Sequence, residues 1–333
     1  MIKMLIFDFK KSEKEFLKTY DTSDFDIKYS RGSLNNNTKL TLQECDETSV
    51  ISIFITSKIT KEVLDKFKNL RVILARSICY DHIDITECQK RNIAVINVTD
   101  YARNAISQYV IGLIFNMTRN ICIGSSDVKK GLFNFEKYES ENIDKLSLGV
   151  IGTGSVGSAV CELAHRLGMK IYANDIVINK TVSEYTEYLS LNNLLRKSDI
   201  VTLHIPYNKE FYHLISDKEF SMMKDGSYLI NTCHQELIDH LALYRAIKEK
   251  KLKGVALDMI IKTDKDIFLD EKNTPDYDKI TKILITEKLL KQDNVLITPR
   301  ISYDTKECLI KILISNFNSL KDYFAGRKTN RVV

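Results

Sequence analysis

The amino-acid sequence predicts an α/β fold with two doubly wound domains, each built on a parallel β-sheet that is covered by helices. Short β-branched runs alternate with longer segments of helical periodicity along the chain, which is the pattern of parallel strands joined by crossover helices. Most of these runs are continuously apolar, as expected for strands that are buried on both faces. Ten such strands would be unusually many for one open sheet, so two sheets are predicted.

The strands and the domain boundaries follow from the positions of these runs. The predicted strands are 1–9, 50–56, 71–76, 94–98, 148–152, 170–174, 200–205, 228–231, 254–259 and 294–298. Residues 101–120 form one long predicted helix, with Val110 and Leu113 among its apolar residues, that carries the chain into the second domain. The predicted domains are therefore 1–100 together with 300–333, closed by a terminal helix over 305–324, and 101–299.

The composition excludes several classes of protein. The 333 residues are 44% hydrophobic and 28% charged, which is enough for a large buried core. The net charge of +5 is mild and no basic stripe with interleaved aromatic residues occurs, so no nucleic-acid partner is expected. No apolar stretch is long enough to span a membrane, and charge interrupts the N-terminal segment too soon for a signal peptide. The 7 cysteines form no CxxC pair, which favours free thiols in the cytoplasm over disulfides or a metal site.

The strongest local motif is Gly152-Thr153-Gly154-Ser155-Val156-Gly157, which follows a predicted strand and opens a predicted helix. The first glycine allows a tight turn, the second lets the backbone approach a pyrophosphate, and the third lets the helix pack closely on the strand. The helix N terminus offers N–H groups and a partial positive charge to phosphates. Asp175 follows the next strand, where its carboxylate can accept the ribose hydroxyls of NAD and repel the additional phosphate of NADP. The motif predicts NAD as the cofactor; a glycine-rich turn with a capping Asp is the alternative.

Segments spread over nearly the whole chain carry a family resemblance. They are 75–84 (ARSICYDHID), 100–106 (DYARNAI), 152–157 (GTGSVG), 201–206 (VTLHIP), 229–232 (LINT), 255–258 (VALD) and 296–299 (LITP). In this order they resemble the D-isomer-specific 2-hydroxyacid dehydrogenase family, with the D-lactate dehydrogenases as the nearest branch. The resemblance implies a Rossmann NAD-binding domain, a discontinuous flavodoxin-like substrate domain, and hydride transfer between nicotinamide and a 2-oxo or 2-hydroxy acid.

The resemblance also implies which residues contact the two ligands. Together with the glycine motif, the expected cofactor-binding residues are Gly152, Gly154, Ser155, Val156, Gly157, Asp175, His204, Pro206, Thr232 and Asp258. The expected substrate-binding residues are Ile78, Cys79, Tyr101 and Arg300. Cys79 stands where the family has glycine, so a positive φ there would cost about 1 kcal/mol or more. His204 has a structural role as its alternative, and Cys79 has an alternative as a small apolar filler.

Three positions that carry the family's chemistry hold other residues in this chain. The resemblance implies an Arg that grips the substrate carboxylate, a His that exchanges a proton with the substrate oxygen, and a Glu that supports the His. The Arg position holds His234, and the His position holds Arg300. The Glu position falls on Thr263, or on Asp264 if the loop shifts by one residue.

These replacements leave three interpretations open. In the first, the protein is an NAD-dependent oxidoreductase with an atypical active site: Arg300 binds the acid, His234 transfers the proton, and Tyr101 hydrogen-bonds the substrate. Arg300 cannot be the proton donor, because a guanidinium does not give up its proton at neutral pH. In the second, the protein is a catalytically inactive NAD(H)-binding family member that acts as a sensor or partner-binding protein. In the third, it transfers hydride to or from a different class of substrate.

The expected partners follow from the same resemblance. It implies a small 2-oxo or 2-hydroxy acid as substrate and a homodimer built around the linking helix and the arm over 127–141. Aromatic residues of that arm, among them Phe133 and Tyr138, are consistent with a dimer contact and equally with packing inside one chain. No metal ion and no membrane partner are expected.

Overall fold

The computed structural model describes residues 1–258 and 277–333, and it divides them into two compact units. Unit 1 comprises Met1–Tyr101 and Asp304–Val333, and unit 2 is the continuous segment Ala102–Tyr303. Each unit contains one β-sheet in which all paired strands are parallel. The predicted α/β fold class with two parallel sheets is therefore confirmed. The role of unit 1 as a substrate domain stays a prediction.

Strands and helices alternate along most of the described chain. The strands are β1 (Ile2–Ile6), β2 (Phe25–Tyr29), β3 (Val50–Ile53), β4 (Val72–Ala75), β5 (Ala94–Ile96), β6 (Ser147–Ile151), β7 (Lys170–Asn174), β8 (Glu187–Tyr188), β9 (Ile200–Leu203), β10 (Ser227–Asn231), β11 (Leu252–Asp258) and β12 (Val295–Thr298). The helices are α1 (Lys11–Thr19), α2 (Leu42–Glu47), α3 (Lys61–Leu64), α4 (Ile85–Lys90), α5 (Arg103–Thr118), α6 (Ile121–Lys129), α7 (Ser155–Arg166), α8 (Lys180–Ser183), α9 (Leu191–Lys197), α10 (Asp217–Met222), α11 (His240–Lys248), α12 (Tyr277–Leu290) and α13 (Lys306–Phe324).

The sheet of unit 1 has the strand order β2-β1-β3-β4-β5. Its central strands are apolar on both faces, because successive side chains of a strand point to opposite sides of the sheet and both sides are covered. Ile73 belongs to one buried cluster, whereas its neighbours Val72 and Leu74 belong to another that includes Phe317 and Leu320 of α13. The last helix of the chain therefore completes the core of the unit that begins the chain.

The sheet of unit 2 has the strand order β12-β11-β10-β9-β6-β7-β8. From β6 the chain adds β7 and β8 on one side, and then crosses back to add β9 to β12 on the other. The strand order therefore reverses between β6 and β9, and in doubly wound sheets ligands bind at the carboxyl ends of the strands at such a point. Buried clusters cover both faces, with Leu203 and Leu229 on one face and Leu148 and Ile230 on the other.

Each of the ten predicted strands is present, and several are shorter than predicted; residues 1–9, for example, contain β1 at Ile2–Ile6. The linking helix is α5 and the terminal helix is α13, each within two residues of the predicted ends. Strands β2 and β8 are additions that the sequence did not predict. Both lie at sheet edges, where one face is exposed and the apolar run that marks a buried strand is missing.

Among the described helices, none has the length and apolar character needed to cross a bilayer.

A buried ion pair ties α1 to the sheet of unit 1. Arg76 follows β4 and is 1% exposed, and Glu13 on α1 is 4% exposed. The guanidinium donates to Glu13 Oε1 at 2.5 Å and to the carbonyl oxygen of Phe7, and Glu13 Oε2 accepts from the backbone N–H of Lys10 at 2.7 Å. Because both charges have left water, removal of one partner leaves the other without compensation.

We expect Glu13→Gln to lower the free energy of unfolding of unit 1 by about 3–5 kcal/mol, because the neutral amide leaves the buried guanidinium unpaired. Urea denaturation followed by circular dichroism measures the change. Glu15→Gln is the matched control, since Glu15 is an exposed carboxylate on the same helix. The combined Glu13→Leu and Arg76→Met variant should regain much of the loss. An equal, small effect of the substitutions at 13 and 15 would show that the pair does not stabilise the unit.

Candidate cofactor and catalytic site

The glycine motif forms a turn between β6 and α7. Two of its glycines leave no space for a Cβ atom, and the third faces open space. Gly152 has φ +91°, and a Cβ atom there would lie 2.5 Å from the carbonyl oxygen of His204. A Cβ atom on Gly157 would lie 1.9 Å from the carbonyl oxygen of Gly152, so α7 packs against the turn only because the side chain is missing. Around Gly154, by contrast, a Cβ atom would meet nothing within 4 Å. The turn therefore packs tightly against the protein at Gly152 and Gly157, and at Gly154 it leaves space that a ligand can occupy.

The N terminus of α7 faces this open side. The helix begins at Ser155 with Gly154 as its N-cap, and no side chain in the described part of the chain caps it. Ser155 and Val156 occupy the first turn. The first N–H groups of a helix have no intrahelical acceptor and carry a partial positive charge. The open turn and this helix end fit a pyrophosphate.

Asp175 follows β7 and lies against the glycine turn. Its Oδ2 accepts from the backbone N–H of Thr153 at 2.5 Å and from the Thr153 hydroxyl at 3.0 Å, and its Oδ1 accepts from the backbone N–H of Val177 at 3.1 Å. Burial alone would raise the pKa of Asp175, but these hydrogen bonds outweigh it and hold that pKa below its ordinary value. The carboxylate is therefore negative at neutral pH, and Oδ1 retains a lone pair for a hydroxyl group.

A second layer of hydrogen bonds supports Asp175, and the sequence did not reveal it. The Tyr188 hydroxyl donates to Thr153 Oγ1 at 2.8 Å, and the backbone N–H of Asn179 donates to the Tyr188 hydroxyl at 3.1 Å. Because Tyr188 occupies one acceptor site of the Thr153 hydroxyl, the hydroxyl proton is directed to Asp175. Thr153 could have been identified as a site residue from the sequence, because it belongs to the glycine motif. Tyr188 lies on the two-residue strand β8, which carries no sequence signal.

Three consecutive aliphatic residues after Asp175 are exposed, and sequence reasoning also missed them. They are Ile176, Val177 and Ile178, and Ile176 is 93% exposed. Isolated exposed aliphatic residues are ordinary, but a contiguous apolar surface on a soluble protein marks a contact site. This surface adjoins the carboxylate that is predicted to bind the ribose.

Two buried polar atoms near the carboxyl ends of β9 and β10 have no hydrogen-bond partner within the described residues. They are Nδ1 of His204 and Oγ1 of Thr232. Nε2 of His204 lies 2.9 Å from Thr202 Oγ1, and burial lowers the pKa of His204 to about 3, so the imidazole is neutral. Pro206 is exposed. Cofactor contacts by these residues stay predictions; the unpaired atoms are the kind that a polar ligand group satisfies.

His234 lies in a tight turn after β10 that Asn231 holds. The buried amide of Asn231 accepts from the backbone N–H of Cys233 at 2.9 Å and donates to the carbonyl oxygen of His234 at 3.0 Å. The imidazole stacks on Tyr207 with ring centroids 5.6 Å apart, and its Nδ1 lies 4.0 Å from Glu236 Oε2. Cys233 Sγ donates to the carbonyl oxygen of Leu203 at 3.2 Å. The imidazole is thus flanked by an aromatic ring and a carboxylate.

Arg300 lies two residues beyond β12 and adopts φ +54°. The carboxylate of Asp258 is 2% exposed and is bonded to the turn that contains Arg300, and its expected contact with the cofactor stays a prediction. It accepts from Thr298 Oγ1 at 2.7 Å and from the backbone N–H groups of Ile301 at 2.9 Å and Ser302 at 2.8 Å. The reason is the pairing of β11 with β12, which sets Asp258 opposite Thr298 at the start of the turn.

The expected substrate residues of unit 1 lie in two short segments. The carbonyl oxygen of Ile78 accepts from Asn97 Nδ2 at 2.9 Å, and that of Cys79 accepts from the Ser77 hydroxyl at 2.5 Å. Cys79 has φ outside the left-handed region, so it carries none of the strain that a replaced glycine can cause. The carbonyl oxygen of Tyr101 accepts from Cys308 Sγ at 3.6 Å. Thr263 and Asp264, the candidates for the supporting acid, lie outside the described residues.

Comparison with known proteins identifies the family. Residues 111–302, more than half of the chain, match the D-isomer specific 2-hydroxyacid dehydrogenase, NAD binding domain. An aromatic 2-oxoacid reductase of Clostridium sporogenes (strain ATCC 15579) is 32% identical over 82% of this chain and 82% of that protein. A 2-hydroxyacid dehydrogenase homolog of Haemophilus influenzae is 29% identical over 100% of this chain and 99% of that protein.

A solved structure agrees with these relatives. The D-lactate dehydrogenase from Aquifex aeolicus, complexed with NAD and lactic acid, is 31% identical, with a TM-score of 0.78 over 97% of this chain and 96% of that one. The predictions of the family and of NAD as cofactor are confirmed. The protein is a member of the D-isomer-specific 2-hydroxyacid dehydrogenase family, with the NAD-binding domain of that family in unit 2.

Proposed function

We propose that the protein interconverts a 2-oxo acid and a 2-hydroxy acid with His234 and Arg300 in exchanged roles. In the direction of reduction, R–CO–COO⁻, NADH and H⁺ yield R–CHOH–COO⁻ and NAD⁺. The observation that carries the proposal is that buried polar side chains hold both turns: Asn231 fixes the turn of His234, and Asp258 fixes the turn of Arg300. A guanidinium and an imidazole on such fixed turns supply the two functions that the reaction needs.

The cofactor half of the site recognises NAD through three features of unit 2. The N terminus of α7 and the open turn at Gly154 receive the pyrophosphate. Asp175 Oδ1 accepts a hydroxyl of the adenosine ribose, and the charge of the carboxylate repels a phosphate at that position. The exposed side chain of Ile176 offers an apolar surface to the adenine. When bound, the reduced cofactor supplies the hydride.

Arg300 anchors the substrate carboxylate in this proposal. Its planar guanidinium can donate two parallel hydrogen bonds to a carboxylate, and it keeps its positive charge at every physiological pH. The same property excludes it from proton transfer. The proton must therefore come from another group.

His234 is that group, since imidazole is the side chain that gains and loses a proton near neutral pH. The carboxylate of Glu236 lies 4.0 Å from Nδ1, and stacking on Tyr207 restricts the ring. Nε2 then exchanges the proton with the substrate oxygen. The contacts of Ile78, Cys79 and Tyr101 with the substrate stay predictions.

A homodimer is also part of the proposal. On α6 and the segment after it, the side chains of Ile121, Val128, Leu132 and Phe133 are each more than half exposed, and we call these four residues the arm face. A cavity of about 260 Å³ lies beside α6 and is lined in part by Met117, Ile123 and Leu296. Apolar residues next to a partly apolar cavity suit a self-complementary contact with a second copy.

We expect Asp175→Asn to weaken NADH binding about 10- to 100-fold, because a charge-assisted hydrogen bond to the ribose is lost. NADPH binding should weaken less, so that discrimination between the two decreases. Fluorescence titration of both nucleotides measures this, with Glu184→Gln, an exposed carboxylate nearby, as control. Because the pKa of Asp175 is lowered, NADH affinity in the unmodified protein should lose the contribution of this carboxylate only below about pH 4. Unchanged discrimination in the Asn variant would exclude the ribose assignment.

We expect His234→Ala to lower kcat for 2-oxo acid reduction about 10²- to 10⁴-fold and to flatten its pH profile. Arg300→Ala should chiefly raise KM for the acid. Steady-state kinetics on a panel of 2-oxo acids gives both values, with the exposed residues His165 and Arg196 changed to Ala as controls. NADH affinity, measured in every variant, separates loss of chemistry from loss of cofactor. NADH binding without turnover of any acid by the unmodified protein would favour the inactive NAD(H)-binding interpretation.

For the dimer, we expect the combined Leu132→Asp and Phe133→Asp variant to be a monomer, since charges would have to be buried in the contact. Light scattering after size-exclusion chromatography measures the mass. Leu42→Asp is the control, because Leu42 is 84% exposed and lies in unit 1, outside the arm face. A monomeric unmodified protein, or a dimer that survives both charges, would contradict this contact.

A further inference from the structure

The hydroxyl group of Tyr188 belongs to a chain of hydrogen bonds that ends on Asp175, and we call this chain the hydroxyl relay. The backbone N–H of Asn179 donates to the Tyr188 oxygen at 3.1 Å, and the Tyr188 hydroxyl donates to Thr153 Oγ1 at 2.8 Å. The Thr153 hydroxyl in turn donates to Asp175 Oδ2 at 3.0 Å. The relay therefore joins the start of α8, strand β8, the glycine turn and the end of β7.

The two ends of the relay fix its direction. A backbone N–H can only donate and an ionised carboxylate can only accept, so each hydroxyl between them must donate toward Asp175. Burial raises the pKa of Asp175, but its hydrogen bonds outweigh burial and hold that pKa below its ordinary value, so the carboxylate is ionised at neutral pH. Hydrogen bonds in such a chain polarise and strengthen one another. Tyr188 thus determines where the proton of the Thr153 hydroxyl points.

The ring of Tyr188 is held independently of its hydroxyl group. It packs against the buried cluster that contains Val150 and Ile171, and the backbone of Tyr188 pairs with β7 opposite Ala173. A phenylalanine could make the same packing and pairing contacts. What distinguishes tyrosine from phenylalanine at this position is therefore the relay.

The relay acts on one of the two oxygens of Asp175. Oδ2 accepts from the backbone N–H and the hydroxyl of Thr153, whereas Oδ1 accepts from the backbone N–H of Val177. With Oδ2 held at the glycine turn, the carboxylate cannot rotate freely and Oδ1 is kept for a ribose hydroxyl. A phosphate on that hydroxyl, as in NADP, removes the donor and is repelled by the fixed negative charge. The orientation of the carboxylate therefore affects how well the two nucleotides are distinguished.

We propose that Tyr188 is a positioning residue for Asp175: through the Thr153 hydroxyl it holds the carboxylate in the orientation that binds the ribose of NAD, and it thereby favours NAD over NADP. The inference rests on the proposed function in that Asp175 is taken to accept a ribose hydroxyl. The relay itself is independent of any bound nucleotide.

Nucleotide titrations with Tyr188→Phe test the proposal. We expect NADH binding to weaken about 3- to 10-fold, as loss of one hydrogen bond implies, and NADPH binding to change less because NADPH lacks the ribose hydroxyl. Tyr185→Phe is the matched control, since Tyr185 packs against the same cluster and its ring stacks on His165 with centroids 4.5 Å apart. It should leave both affinities unchanged. Equal weakening of the two nucleotides, or no change, in Tyr188→Phe would overturn the proposal.

Substitutions at Thr153 test whether the effect passes through its hydroxyl. Thr153→Val should weaken NADH binding as Tyr188→Phe does, and Thr153→Ser, which keeps the hydroxyl, should retain the affinity of the unmodified protein. Adding Tyr188→Phe to Thr153→Val should cause no further loss, because the relay is already broken. Additive losses, or a serine variant as weak as the valine variant, would refute the relay. If Tyr188→Phe fails to fold, unchanged discrimination in Thr153→Val would overturn the proposal.

The two proposals fail in different ways. If Asp175→Asn leaves discrimination unchanged, the ribose assignment is lost. Hydrogen–deuterium exchange without nucleotide then still decides whether Tyr188 holds the carboxylate. The amides of Thr153 and Val177, which donate to Asp175, should exchange about 3 to 10 times faster in Tyr188→Phe and at the unmodified rate in Tyr185→Phe. Unchanged exchange at both amides would overturn the positioning role even if Asp175 binds the ribose.

Discussion

The approach of α7 to the end of β6 is the constraint on which the cofactor half of the structure depends. A side chain at Gly157 would collide with the carbonyl oxygen of Gly152, 1.9 Å from its Cβ atom. Because this space is kept empty, the helix axis points at the turn and Gly154 is left open. The same turn brings the N–H of Thr153 to Asp175, so the helix end, the open backbone and the Asp175 carboxylate are all placed by one close packing contact.

The segments that carry His234 and Arg300 are organised differently, by polar side chains at the ends of neighbouring strands. Asn231 ends β10 and Asp258 ends β11, and each bonds to backbone groups or hydroxyls of the turn that it supports. Neither uses the side chain at 234 or 300. A turn held in this way keeps its shape when the residue that it presents is replaced.

Sequence reasoning recovered what depends on strong local patterns. Buried strands such as β4 are short apolar runs, and the glycine motif is defined by steric demands that few sequences meet. It missed β2 and β8, whose exposed faces break the apolar run, and with β8 it missed Tyr188. The family resemblance placed Asp258 at the cofactor, but the sequence did not reveal that its carboxylate also bonds to the 298–302 turn. Those bonds follow from the pairing of β11 with β12, which only the structure shows.

The chain order has a consequence for biosynthesis. Residues 1–101 leave the ribosome before unit 2, but the cluster around Val72 and Leu74 lacks Phe317 and Leu320 until α13 is translated. Unit 2 is continuous and can complete its own core earlier, while one face of the first sheet still lacks the contacts of α13. Since exposed apolar strands favour aggregation, the nascent chain has to keep that half-covered sheet from other chains for most of its synthesis. The core of unit 1 is thus completed by α13, a helix that is made after the whole of unit 2.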